Sequence, residues 1–112
     1  MNAASVKIDC ALINDWDSFD DVFSEALGFP SYYGRNMNAW IDCMTYIDEP
    51  DAGMTQLHCA PGTVFTLELE NVREFRQRCP EQYAALIECA AFVNWRRIEM
   101  NEASVLALSF YD

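Results

Sequence analysis

Residues 29–45 read Phe29-Pro30-Ser31-Tyr32-Tyr33-Gly34-Arg35-Asn36-Met37-Asn38-Ala39-Trp40-Ile41-Asp42-Cys43-Met44-Thr45, a tight turn running into a short helix. Pro30 opens the turn, and Gly34 is expected to supply a backbone conformation closed to other residues. Asn36 is placed to cap a helix that continues to about Ile47. At about 100° per residue, Met37, Trp40, Ile41, Met44 and Ile47 share one broad apolar face. Asn38, Asp42, Thr45 and Glu49 recur at i, i+4, i+7 and i+11 and form a polar stripe on another. A polar stripe is ordinarily solvated surface, and most surface charges contribute little. Asp42 therefore reads either as such a charge or as a binding anchor. One of the two tyrosines is expected against the core. The other belongs at the edge of the stripe, where a stiff amphipathic ring makes a good anchor.

The flanking segments supply the rest of an α/β pattern. Val6, Ile8 and Cys10 alternate within Ser5 to Ile13 and predict a short strand. Asp15 to Leu27 is an amphipathic helix with Trp16, Phe19, Val22, Phe23, Ala26 and Leu27 at helical spacing and Asp17 or Ser18 as cap. Gly28 and Pro30 stop it. Asp48 to Gly62 reads as a loop. Val64 to Leu69 is apolar almost throughout and predicts an interior strand. Asn71 to Cys79 is a short charged helix. Pro80 to about Arg97 is a longer one, with Tyr83, Leu86, Ile87, Ala90 and Val93 facing the core and Arg96 and Arg97 favourable to its C-terminal dipole. Ser104 to Phe110 is a final strand. The order β-α-α-loop-β-α-α-β favours a three-stranded parallel sheet with right-handed crossovers, flanked by four helices, in a single domain over residues 1–112.

Composition limits the function. At 112 residues and 52% hydrophobic, the chain has material for one core. Seven Lys plus Arg against eighteen Asp plus Glu give a net charge of −11. Such a surface repels phosphate backbones and anionic membranes and attracts a basic partner. The five cysteines are odd in number and irregularly spaced, without C-x-x-C, unlike a disulfide scaffold or zinc ribbon. No signal peptide and no apolar run of membrane-spanning length is evident, so a cytoplasmic protein with reduced thiols is expected.

A catalytic set is not apparent. His58 is the single histidine, and its neighbour Cys59 is poorly placed to pair with it, since adjacent residues rarely converge. Asp48, Glu49 and Asp51 precede Gly53, but the alternate positions of a calcium loop would hold Asp48, Pro50 and Ala52, and the match fails. No glycine-rich phosphate loop or nucleophile elbow occurs. Neither an enzyme, a metal site nor a cofactor is expected.

Pro30, Tyr32, Tyr33, Gly34, Asn36, Ala39, Asp42, Cys43 and Thr45 together resemble the signature of the barstar family, bacterial intracellular inhibitors of small secreted ribonucleases. The resemblance implies a three-stranded parallel sheet with flanking helices. It also implies that the motif helix and the preceding loop plug the ribonuclease active site. Asp42 then takes the place of a substrate phosphate among the enzyme's basic residues, gaining charge-assisted hydrogen bonds. Thr45 matches a polar contact one turn on, Tyr32 an aromatic contact in the loop, and Asn36 the residue that starts the helix. Glu88 is the expected counterpart of a glutamate that contacts the enzyme from a later helix. The best-known member has a second aspartate where Asn38 stands, tryptophans at Ile41 and Ile47, glycine at Tyr46 and an acidic residue at Arg35. Asp48, Glu49 or Asp51 is a candidate to restore the missing charge.

The expected partner-binding residues are thus Tyr32, Asn36, Asn38, Asp42, Thr45, Tyr46, Glu49 and Glu88. The expected partner is a basic protein, a small ribonuclease or nuclease toxin, held by an immunity-type inhibitor. An alternative is a barstar-like interaction or regulatory module in which Ile41, Tyr46 and Ile47 help form a less polar contact surface. A third is a metal-assisted hydrolase built on the acidic loop.

Overall fold

A computed structural model describes residues 2–112. Three strands, β1 (Ser5–Asp9), β2 (Phe65–Glu70) and β3 (Leu106–Phe110), form one parallel sheet in the order β1-β2-β3. Four helices, α1 (Trp16–Leu27), α2 (Met37–Thr45), α3 (Val72–Arg78) and α4 (Pro80–Glu99), occupy the two crossovers as pairs. The predicted α/β architecture is therefore the observed one.

Moving one strand over at each crossover, with both crossovers of the same hand, places both helix pairs on the same face of the sheet. Burial along the strands agrees. Ile8, Leu67 and Leu69 are fully buried beneath the helices, whereas Lys7, Glu68 and Ser109 pair in register on the open face. β2 is central, as expected, but only Phe65, Leu67 and Leu69 are buried; Thr66, Glu68 and Glu70 alternate outward. The core is continued by Phe19, Phe23 and Leu27 of α1, Trp40 and Met44 of α2, Phe75 of α3, and Leu86 and Val93 of α4.

The local chemistry sets the element ends. Asp15, rather than Asp17 or Ser18, caps α1: its carboxylate accepts from the Ser18 N–H at 2.8 Å, and Ser18 Oγ accepts from the Asp15 N–H at 3.0 Å. At the other end Gly28 is left-handed, with φ +68°, and a Cβ there would meet Gln56 Cβ at 2.6 Å. Gln56 and Leu57 donate to the Leu27 carbonyl, so the connection between α2 and β2 folds back onto the end of α1. Within that connection Pro50–Ala52 forms a 3-10 turn, and Thr55, His58 and Cys59 are buried. His58 approaches Thr55 Oγ1 through Nδ1 at 3.3 Å, and its carbonyl accepts from Ala3. In the motif turn it is Arg35, with φ +54°, that is left-handed, and not Gly34.

Candidate functional site

Asn36 builds the start of α2 as its sequence position demands. Its Oδ1 accepts from the Ala39 N–H at 2.8 Å, while its Nδ2 donates to the Gly34 carbonyl at 3.3 Å. Both ends of the amide are used within the chain, so Asn36 acts on the site by fixing the turn against the helix. The tyrosines divide as their surroundings allow. Tyr33 stacks on Phe29 with ring centroids 4.7 Å apart and donates to Asp20 at 2.8 Å. Burial and that hydrogen bond together push its pKa up, so it stays protonated. Tyr32 is 71% exposed, its hydroxyl 3.8 Å from Met54 Sδ.

Tyr32, Met54, Cys43 and Asp42 line a cleft of about 160 Å³ with Pro30, Tyr33, Gly34 and Ala39. Asp42 stands at this cleft with half its side chain exposed. Its Oδ1 accepts from Arg96 Nη1 of α4 at 2.8 Å, and Oδ2 has no hydrogen-bond partner among the described residues. Burial, reinforced by the Asp42 carboxylate, raises the Cys43 thiol to about 11, so the floor of the cleft is neutral. Asn38, one turn before Asp42, is exposed, and Tyr46, one turn after, is half-buried.

Thr45 departs from the expected stripe. It is only 1% exposed, because α2 ends there and its hydroxyl bonds back to the Ile41 carbonyl at 2.6 Å. It offers a partner no side-chain contact in this conformation. Glu49 is exposed beyond the helix end. Asp48 does not supply the charge missing at Asn38. It turns inward and grips Arg97 through both oxygens, at 2.8 and 3.1 Å, and Arg97 also bonds the Thr45 and Ala103 carbonyls. Ile41 and Ile47 are buried, so they form no apolar contact surface of the kind the alternative reading requires.

Glu88 is exposed on α4, eight residues before Arg96 and so about 12 Å from it along the axis. No hydrogen bond or ion pair joins Glu88 to the α2 stripe among the described residues. Arg35 is drawn back to α1, pairing with Asp21 at 3.0 Å and Asp17 at 3.5 Å, which offsets the charge it brings to the rim. Sequence reasoning missed Arg96 as a member of this face. The available signal was its position on α4 about 100° from Arg97, at the border of the buried stripe and therefore next to a neighbouring helix.

A family model described as Barstar (barnase inhibitor) matches residues 3–106. The chain belongs to the Barstar family. Members of this family are inhibitors, and a ribonuclease is the kind of protein they bind. The match covers every strand start and all four helices, including the Tyr32–Asp42 cleft. No curated protein matches the chain. No group of three or more His, Cys, Asp or Glu converges as a metal site would require among the described residues. No helix among them is long and apolar enough to cross a membrane.

Proposed function

We propose that this chain is an immunity-type inhibitor of a small basic ribonuclease, acting in the cytoplasm of the cell that makes the enzyme. The face used is α2 with its preceding turn. The observation that carries the reading is the half-exposed Asp42 carboxylate beside the Tyr32 cleft, with one oxygen unpartnered among the described residues, in a Barstar-family chain. A ribonuclease active site gathers cations to hold the substrate phosphate. A carboxylate presented on a rigid helix meets those cations with charge-assisted hydrogen bonds and little side-chain entropy to lose.

The remaining residues take roles that follow from their placement. Tyr32 and Asp42 both line the cleft, which receives one side chain of the enzyme. Asn38 and Tyr46 flank Asp42, and Glu49 extends the acidic rim. Glu88 lies at the far margin of the contact. Asn36 holds turn and helix in register, and the net charge of −11 steers the encounter.

The test is RNA cleavage by a panel of small secreted ribonucleases that includes barnase, with and without one equivalent of this protein. The reading expects at least one of these enzymes to be stopped stoichiometrically and released by salt. Undiminished cleavage across the panel would remove it.

A further inference from the structure

We propose that Arg96 sets a selectivity threshold for this face: an internal cation that occupies Asp42 until a convergent cluster of cations displaces it. The inference rests on the binding-face reading above and concerns the regulation of that same face. It starts from the 2.8 Å ion pair between Arg96 Nη1 and Asp42 Oδ1. Both groups are at the surface, with Arg96 34% and Asp42 50% exposed, so an incoming cation can reach the carboxylate and the guanidinium can leave it. Arg96 is the one cation paired with Asp42 among the described residues; Arg35 is held away on Asp17 and Asp21.

The strength of the device comes from tethering. Because α4 packs on α2, Arg96 meets Asp42 without loss of translational freedom, at an effective concentration in the millimolar range or above. A ligand of Asp42 binds only the fraction of molecules in which that contact is open, so every such ligand is weakened by the same factor. Binding across a cationic active site keeps ample affinity after this loss. A lone lysine or arginine on an ordinary basic protein does not, and drops out of the useful concentration range. The open state has a place for the displaced group. Glu99 is exposed three residues further along α4, the spacing at which helix side chains pair. The net result is an acidic protein whose central carboxylate is masked from weak cations.

The test uses calorimetric titration at low salt of a hexa-arginine peptide and, separately, of barnase. The proteins are wild type, Arg96→Met, Arg76→Met as a distant exposed control of equal charge change, Asp42→Asn, and the double variant Asp42→Asn/Arg96→Met. Thermal melts establish that each is folded. Arg96→Met is expected to bind hexa-arginine about fivefold more tightly than wild type, the upper end for an exposed ion pair, with Arg76→Met within about twofold. In the Asp42→Asn background the Arg96 substitution is expected to gain nothing, because Arg96 acts through Asp42.

Equal gains at Arg96 and Arg76, a gain that survives Asp42→Asn, or weaker binding by Arg96→Met would each overturn the proposal. Barnase separates the two readings. If no variant binds it while the hexa-arginine gain appears, the threshold stands and the ribonuclease reading loses its barnase support. If wild type binds barnase and Arg96→Met binds no tighter, the threshold falls and the ribonuclease reading stands.

Discussion

Replacing Asp48 with alanine strands a buried cation directly behind α2. Arg97 is 4% exposed and is held by both oxygens of Asp48, whose pairing outweighs the burial that would otherwise lower its pKa. Removing one member of a buried ion pair costs about 3–5 kcal/mol, because the survivor keeps its charge without its partner. Arg97 would retain the Thr45 and Ala103 carbonyls, at 2.8 and 2.7 Å, which places the expectation near the lower end, about 3 kcal/mol. For a domain of this size, with a urea slope of about 2 kcal/mol per molar, the midpoint should fall by about 1.5 M. Urea denaturation followed by circular dichroism measures it. Asp48→Ala combined with Arg97→Met should be less destabilised than Asp48→Ala alone, since no bare charge remains. A loss below about 1 kcal/mol for Asp48→Ala would mean that Arg97 reaches water when unpaired, contrary to the packing described.

Three further outcomes are expected. Trp40 is fully buried and its Nε1–H has no hydrogen-bond partner among the described residues, so Trp40→Phe should stay within about 1 kcal/mol of wild type while Phe23→Ala costs about 3–5 kcal/mol; a loss in Trp40→Phe as large as that of Phe23→Ala, measured by urea denaturation, would contradict this. Burial raises the Cys10 thiol to about 12 and the Cys43 thiol to about 11, so native protein should resist alkylation there near pH 8 and label first at half-buried Cys89; mass mapping that finds Cys10 or Cys43 labelled early would contradict the packing. The Ser18 backbone and hydroxyl bonds lower the Asp15 pKa below its ordinary 3.8. A lowered carboxylate stabilises the fold above that range and ceases to do so as pH falls through it, so the stability gap between wild type and Asp15→Ala should be full near neutrality and close as the pH falls below 3.8.

The fold was legible because its signals are periodic. Alternation in Val6-Lys7-Ile8, the helical spacing from Trp16 to Leu27, and the Gly28 stop each belong to one element and need no knowledge of the others. Asn36 and Tyr32 were legible for the same reason: a cap and an exposed ring in a turn are local facts. What the sequence concealed depends on contacts between elements. Thr45 sits correctly for the polar stripe, but whether a threonine faces out or bonds back four residues depends on where the helix ends, and that end is set by Arg97 from α4. Asp48 looks like any loop carboxylate until Arg97 is known to lie against it. Arg96 and Asp42 are 54 residues apart, and nothing in either neighbourhood announces the other. Charge counting was least informative here, since it treats the carboxylate of Asp42 and that of Asp48 alike.

The inhibitor reading is tested by the affinity of wild type and Asp42→Ala for a ribonuclease that the protein inhibits, measured by calorimetry alongside Glu88→Ala. The expectation is a loss in the hot-spot range, at least ~2 kcal/mol, for Asp42→Ala, with an unchanged melting curve and a much smaller effect at Glu88. Equal affinity for wild type and Asp42→Ala would show that the enzyme docks elsewhere and that Asp42 is an ordinary surface carboxylate.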